Sequence, residues 1–303
     1  MADNESILNA LSEIINCWLF NPDMEVSWFT KALLEAAQND DMDLVENILK
    51  WSDFIYEQHL RGEPILHIAA RKGYLELVQW LVGHGADVHV REYGLTTLHS
   101  AYIRKQWEVV KWLVEHCADV NIRDDDGWTV LHHASADNNS EMVKWLVEHD
   151  ADVNARTTRW VQGIYKQGAV LNKMYDGGWT ALLPIAGHGN VELAEFLFHY
   201  GADVNIKNRS GWAAMDLAAY NRRWEMVRWL VEHGAVVDRN HRFGLLAFPI
   251  TAYYREWEMV KFLVEHGADI NEKNEGGVTA LRIADRDDNQ EMVQWLKEHG
   301  AKE

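Results

Sequence analysis

Fifteen histidines are the residues of this chain that most invite a chemical reading, since imidazole can ligate metals and carry protons near neutral pH. Most fall into two regular series. His67, His99 and His132 form one, and His84, His116, His149, His233, His266 and His299 form the other. Neighbours in such a series stand about one helix-packing distance, on the order of 10 Å, apart. Ligands of one ion must lie roughly 2.0–2.1 Å from it, so a series of this kind cannot chelate. Both are expected to serve as helix caps and turns, and the His132-His133 pair to point two ways around one helix. Asp124-Asp125-Asp126-Gly127 lacks the spacing and distal Glu of a calcium loop and is expected to be a hairpin turn. There is no phosphate loop, nucleophile elbow or zinc-protease motif. No catalytic residue, cofactor or metal is therefore assigned. Cys17 and Cys117 are too few for a disulfide framework and suit reduced thiols inside a cell.

The elements that carry these histidines are copies of one another. The stretch EMVKWLVEHDADVN at 141–154 has close relatives at 108–121 (EVVKWLVEHCADVN), 258–271 (EMVKFLVEHGADIN) and 76–89 (ELVQWLVGHGADVH). Each unit opens on a glycine: Gly62, Gly94, Gly127, Gly178, Gly211, Gly244 and Gly277. The period is 33, with one deletion near Tyr93 and an insertion of 18 residues near 158–176. Within 127–154, Thr129 is placed to cap a short helix that has Leu131 and Ala134 on one face. After a polar break, Met142, Val143, Leu146 and Val147 repeat at helical spacing. Neither helix can bury its stripe alone, whereas stacked neighbours can.

These units resemble ankyrin repeats. The resemblance rests on the Thr-x-Leu-His starts at Thr96–His99 and Thr129–His132 and on the Gly-Ala-Asp-Val/Ile-Asn ends at 201–205 and 267–271. It implies an all-α solenoid of paired antiparallel helices with short β-hairpin fingers, in seven clear units plus a degenerate one. The expected organisation is an N-terminal capping helix over 1–27 and the degenerate repeat over 28–60. Repeats one to three follow over 61–157, an inserted hairpin or loop over 158–176, and repeats four to seven with a C-terminal cap over 177–303. The family's usual Pro after the first Thr is absent from every unit. In the fifth and sixth units the start has decayed to Ala213-Ala214-Met215-Asp216 and Leu246-Ala247-Phe248-Pro249, which leaves their helix starts open.

The 15 Trp fall largely into columns. Trp80, Trp112, Trp145, Phe196, Trp229, Phe262 and Trp295 adjoin the apolar Leu of the second helix and are expected to pack between repeats, each burying roughly 150–250 Å². Trp107, Trp224 and Trp257 start second helices and are expected to be half-buried. In the third column, Trp128, Trp179 and Trp212 follow the opening glycine, which the resemblance makes a finger tip facing the groove. Three exposed Trp there are expected to bind a partner. The resemblance adds groove positions late in the first helix, among them Ile103, Arg104, His188, Tyr220, Tyr253 and Tyr254; some of these Tyr rings have the alternative use of covering helix ends. Replacing Trp212 and Tyr253 together is expected to weaken binding and spare stability.

In the insertion, runs 159–165 and 169–175 flank Lys166-Gln167-Gly168, as in a hairpin. Trp160, Tyr165 and Lys166 make it an aromatic, basic candidate finger; a tolerated unstructured insertion is the other reading. Residues 6–20 have the spacing of an amphipathic helix, which is either a cap for the first unit or a recruiting motif. The charged last helix suits a capped end. Cys117 and Asp150 stand where other units have a helix-capping Gly, so Cys117→Gly is expected to stabilise. Asn121, Asn154, Asn205 and Asn271 each follow Asp-Val or Asp-Ile, with Leu eight residues earlier. This resembles the target pattern of the asparaginyl hydroxylase of ankyrin repeats; a turn-stabilising role is the plainer reading.

Formal net charge is −18, which argues against nucleic acid or an anionic membrane as partner. No apolar run approaches a membrane span, and the acidic start MADNESILN lacks the basic region of a secretory signal. The expectation is a cytoplasmic or nuclear monomer without cofactor: a non-enzymatic scaffold that binds a protein through groove, finger tips and inserted loop. An acidic inhibitor or decoy that masks a basic protein surface, of the effector or immunity type, is a sharper version. A substrate adaptor of an enzyme complex is a third.

Overall fold

Thr129 shows how a unit begins. The Thr129 backbone N–H donates to His132 Nδ1 at 3.1 Å, and the Thr129 hydroxyl meets the same nitrogen at 2.8 Å. This reciprocal arrangement satisfies donors that a helix start leaves open. Thr96 and His99 pair the same way at 2.7 Å, in a computed structural model that describes residues 36, 65–83, 85–158, 177–237, 247–274 and 276–302. The expected cap at 1–27, the degenerate repeat at 28–60 and the insertion residues 159–176 lie outside the described residues, except for buried Ala36.

The chain forms two compact units, one up to Leu113 and one from Val114. The first contains α1 (Ile65–Lys72), α2 (Leu75–Gly83), the antiparallel pair β1 (Arg91–Glu92) and β2 (Leu95–Thr96), and α3 (Thr97–Ile103); α4 (Trp107–His116) runs across the boundary. Here α1 packs on α2 and on α3. His67 joins the two copies, bonding Ser100 Oγ at 3.1 Å and the Val90 carbonyl at 2.8 Å.

The second unit contains five pairs. They are α5 (Val130–Ala136) with α6 (Ser140–Glu148), α7 (Leu182–His188) with α8 (Val191–His199), and α9 (Ala214–Tyr220) with α10 (Trp224–Glu232). Then come α11 (Ala247–Tyr253) with α12 (Trp257–Glu265) and α13 (Ala280–Arg286) with α14 (Gln290–Glu298). First helices stack in sequence order from α5 to α13, and each packs on its own second helix. Leu146, Leu197, Leu230, Leu263 and Leu296, one per second helix, are all fully buried. Seven helix pairs thus stand among the described residues, and the expected all-α class with short hairpin fingers is the one found.

The decayed fifth unit keeps its helix by another route. Asp216 Oδ2 accepts the Ala213 N–H at 2.8 Å, so a carboxylate replaces the imidazole at the same position. Asn139, Asn190 and Asn289 cap second helices by accepting the N–H of Met142, Leu193 and Met292.

Asparagine also links successive turns. Asn154 Nδ2 donates to the Gly201 carbonyl at 2.8 Å, and its Oδ1 accepts the Asp203 N–H at 2.9 Å. Asn121, Asn205 and Asn271 form the same two-way bridge to Asp150 and Asp152, to Gly234 and Val236, and to Gly300 and Lys302. The turn residue therefore stabilises the step to the next repeat as well as its own turn.

The aromatic ladder is also more specific than expected. Trp145, Trp229, Phe262 and Trp295 lie against His149, His233, His266 and His299 of their own helices, with ring centroids 3.9–4.2 Å apart. Each of those imidazoles bonds through Nδ1 to the carbonyl four residues earlier. From the preceding repeat, Lys144 stands over Phe196 and Arg228 over Phe262 at 5.9 and 4.3 Å. The seam is built from aromatic, imidazole and cation together.

Cys117 corrects one expectation. Asp150 is left-handed (φ 67) like the glycines of its column, but Cys117 is absent from the positive-φ positions. The cause is that α4 runs through His116, one residue further than its counterpart α6. Asp150→Gly is therefore expected to raise stability by about 1 kcal/mol. Cys117→Gly is expected to lower it by roughly 0.5–1 kcal/mol, since it only loosens the unfolded chain. Urea unfolding of the two variants checks the opposite signs.

Candidate partner-binding face

The finger-tip tryptophans are not the exposed anchors expected of them. Trp128, Trp179 and Trp212 are only 5, 4 and 2% exposed. The backbone of each tip is pinned by a side chain of its finger or of the segment beside it. The backbone N–H of Trp128 donates to Asp124 Oδ1 at 2.7 Å, that of Trp212 to Asn208 Oδ1 at 2.9 Å, and that of Trp179 to Thr157 Oγ1 at 3.1 Å. The indoles then lie over first helices. Trp179 and Trp212 cluster with Leu183 and Leu217, while Tyr220 meets Trp212 edge-on at 5.6 Å. Trp128 packs near Ala136 and lies 5.0 Å from the His133 ring. Burial of a large apolar ring outweighs its use at the surface, so Trp212 and Tyr253 cannot be treated as one kind of residue.

The insertion leaves from this same row of fingers. Thr157 N–H donates to the Trp179 carbonyl at 3.0 Å, and Gly178 N–H to the Thr157 carbonyl at 2.7 Å. The two ends of the inserted segment are thus held side by side. Trp160, Tyr165 and Lys166 themselves lie outside the described residues.

His132 seals the row from behind. Its Nε2 faces the carbonyls of Ala155 and Trp179 at 2.9 and 3.0 Å, so the imidazole is a donor there while Nδ1 accepts from Thr129. Burial pushes its pKa down to about 4, against the opposing pull of the two carbonyls and with smaller contributions from His133 and Arg123. His188, half-buried, bonds the Ala136 carbonyl at 2.8 Å and joins two first helices.

What remains open is the row of turns that follows the first helices. Tyr253 is 57% exposed, and its ring meets Tyr254 at 5.2 Å. The Arg222 guanidinium lies 4.9 Å from the Tyr254 ring, and Trp224 approaches that ring at 6.3 Å. Arg255 makes two bonds to Asp287, the one from Nη2 to Oδ1 measuring 3.0 Å. That pairing holds the Asp287 carboxyl below, and the guanidinium above, their ordinary ranges. In the first unit, Ile103 is 44% exposed and Arg104 is exposed beside it.

Sequence reasoning passed over Arg222 and Arg255. Both are left-handed, φ 59 and 63, at a turn position where Lys105, Asn138 and Asp288 are left-handed as well and Gly73 and Gly189 stand in the other two repeats. A non-glycine side chain there costs roughly 1–2 kcal/mol. Residue type gave no signal here, because the same column also holds Lys105, Asn138 and Asp288.

A family model for ankyrin repeats in three copies matches residues 7–92, 33–124, 66–157, 161–241 and 237–303. The chain belongs to the ankyrin-repeat family. Among solved structures it is similar to the ankyrin repeat domain of Bcl-3, described as a unique member of the IkappaB protein family. Identity is 26% and the TM-score 0.60, over 78% of this chain and 99% of that one. No curated protein matches. Ankyrin repeats with such a neighbour support a protein-interaction scaffold. No helix among the described residues is long and apolar enough to cross a membrane.

Proposed function

We propose that this ankyrin-repeat protein is a non-enzymatic scaffold that binds a protein segment across the turns around Tyr253, Tyr254 and Arg222. The observation that carries this reading is exposed Tyr253, packed edge-on against half-buried Tyr254, whose ring lies beside the Arg222 guanidinium. Tyr and Arg are enriched among the side chains that anchor interfaces. Tyr220 and His188 extend the surface within the second unit, and Ile103 and Arg104 offer contacts of their own in the first, in the roles first expected of them. Trp128, Trp179 and Trp212 act from beneath by holding the fingers in place. The segment carrying Trp160, Tyr165 and Lys166 reaches the partner from the paired base at Thr157 and Trp179.

Affinity capture with wild type and Tyr253→Ala, followed by mass spectrometry and titration of the captured protein, tests the reading. The variant is expected to bind the captured partner about 30-fold more weakly, near 2 kcal/mol, with an unchanged melting temperature. Equal capture by both proteins overturns it. The formal charge of −18 favours a second reading, an acidic inhibitor that covers a basic surface. Binding that collapses at high salt, and that ignores Tyr253→Ala, selects that version.

A further inference from the structure

Phe198, Tyr200 and Val236 depart from the repeat in adjoining places. Their columns hold Val147, Val231 and Val264; His149, His233 and His266; and Asp152, Asp203 and Asp269. The departures give up local bonds. Asp152, Asp203 and Asp269 each accept the N–H two residues onward at 2.8–3.1 Å, which a valine cannot do. The histidines bond the carbonyl one turn back, which is lost at Tyr200. In exchange the chain exposes apolar surface: Phe198 is 36%, Tyr200 49% and Val236 59% exposed.

These residues fall at the end of α8, in the turn after it and in the turn after α10. Phe198 at the end of α8 meets Trp229 and His233 of α10 edge-on, at 5.9 and 5.1 Å. Tyr200 lies 4.8 Å from Phe196, and the Val236 N–H donates to Asn205 Oδ1 at 2.8 Å, tying the two turns together. The patch belongs to second helices and the turns after them, whereas Tyr253 ends a first helix. Its rim is acidic. Glu195 and Asp203 flank Phe198 and Tyr200, Glu232 precedes His233, and Glu148 closes α6, which packs on α8; all four are exposed. Arg228, the nearest arginine on α10, is turned over Phe262.

We propose that this patch docks an amphipathic segment of a partner protein, with apolar side chains against Phe198, Tyr200 and Val236 and with Lys or Arg facing the rim carboxylates. Charge decides the occupant. A second copy of a chain of net charge −18 would set the same carboxylates against themselves, whereas a basic amphipathic segment neutralises them. Exposed apolar surface rimmed by polar groups is the usual mark of such a site.

The test selects a phage-displayed random peptide library on the full chain and measures the selected peptides against F198V/Y200H/V236D. That variant restores the residues of adjoining repeats, and a circular-dichroism melt checks its fold; V236D alone serves as a milder second variant. Wild type is expected to select peptides with apolar residues at helical spacing and a positive net charge. They should bind the triple variant about tenfold more weakly or worse, lose affinity with added salt, and bind Tyr253→Ala normally. Equal binding to the triple variant, selection of acidic peptides, or no selection at all overturns the proposal. A wild-type dimer that the triple variant dissolves in light scattering also overturns it, by making a second copy the occupant.

Discussion

Trp212→Ala is expected to cost about 3–5 kcal/mol of stability, the range for truncating a buried large aromatic. The indole is 2% exposed and packs with Trp179, Leu183, Leu217 and Tyr220. Nothing near it is free to collapse into the space, because its neighbours belong to two successive first helices, α7 and α9, and to two fingers. Tyr253→Ala, by contrast, is expected to stay within about 0.5 kcal/mol of wild type, as surface replacements do. Urea denaturation of both single variants separates the two residues, which sequence reasoning had joined as one binding pair. A Trp212→Ala protein of wild-type stability would mean that the finger is not seated on its helices.

The second large effect is one of pH, and it belongs to His132. Its pKa is lowered to about 4 in the folded chain, while in the unfolded chain it titrates near the ordinary imidazole value of about 6.5. Between those values the unfolded state holds the proton and the folded state does not, so stability rises with pH across that window. The stabilising contribution is complete above about 6.5 and is lost as pH falls toward 4. Between pH 7 and pH 5 the loss attributable to His132 is about 2 kcal/mol, from roughly 1.4 kcal/mol per unit once the unfolded imidazole is charged. His132→Gln removes the titration, so its stability should change less over the same interval by about that amount, whatever its starting value. Parallel unfolding free energies for the two proteins at pH 7 and pH 5 provide the comparison. Identical pH slopes would show that His132 keeps access to water.

Both results follow from contacts that join one repeat to the next, and this is where sequence and structure divide the account. The sequence alone established the repeat, its period and interruption, the apolar stripes and the family resemblance. Those depend on recurring residue types, and a recurrence is visible in one dimension. It also placed the imidazoles in helix caps and turns, because Thr129 and His132 stand at a spacing a single helix start defines. Which side of a finger Trp212 takes was not legible. The answer depends on Asn208 pinning the Trp212 backbone N–H and on Leu183, from another repeat, offering a surface for the ring. Cys117 looked like a glycine position until the extra residue of α4 removed the left-handed turn. Arg222 looked like an ordinary surface charge until its backbone angle and the Tyr254 ring beneath it were in view. Residue type and spacing determine which helices form and which stripe each must bury. The direction in which a side chain leaves a turn is decided only when the neighbouring repeat supplies, or withholds, something for it to rest on.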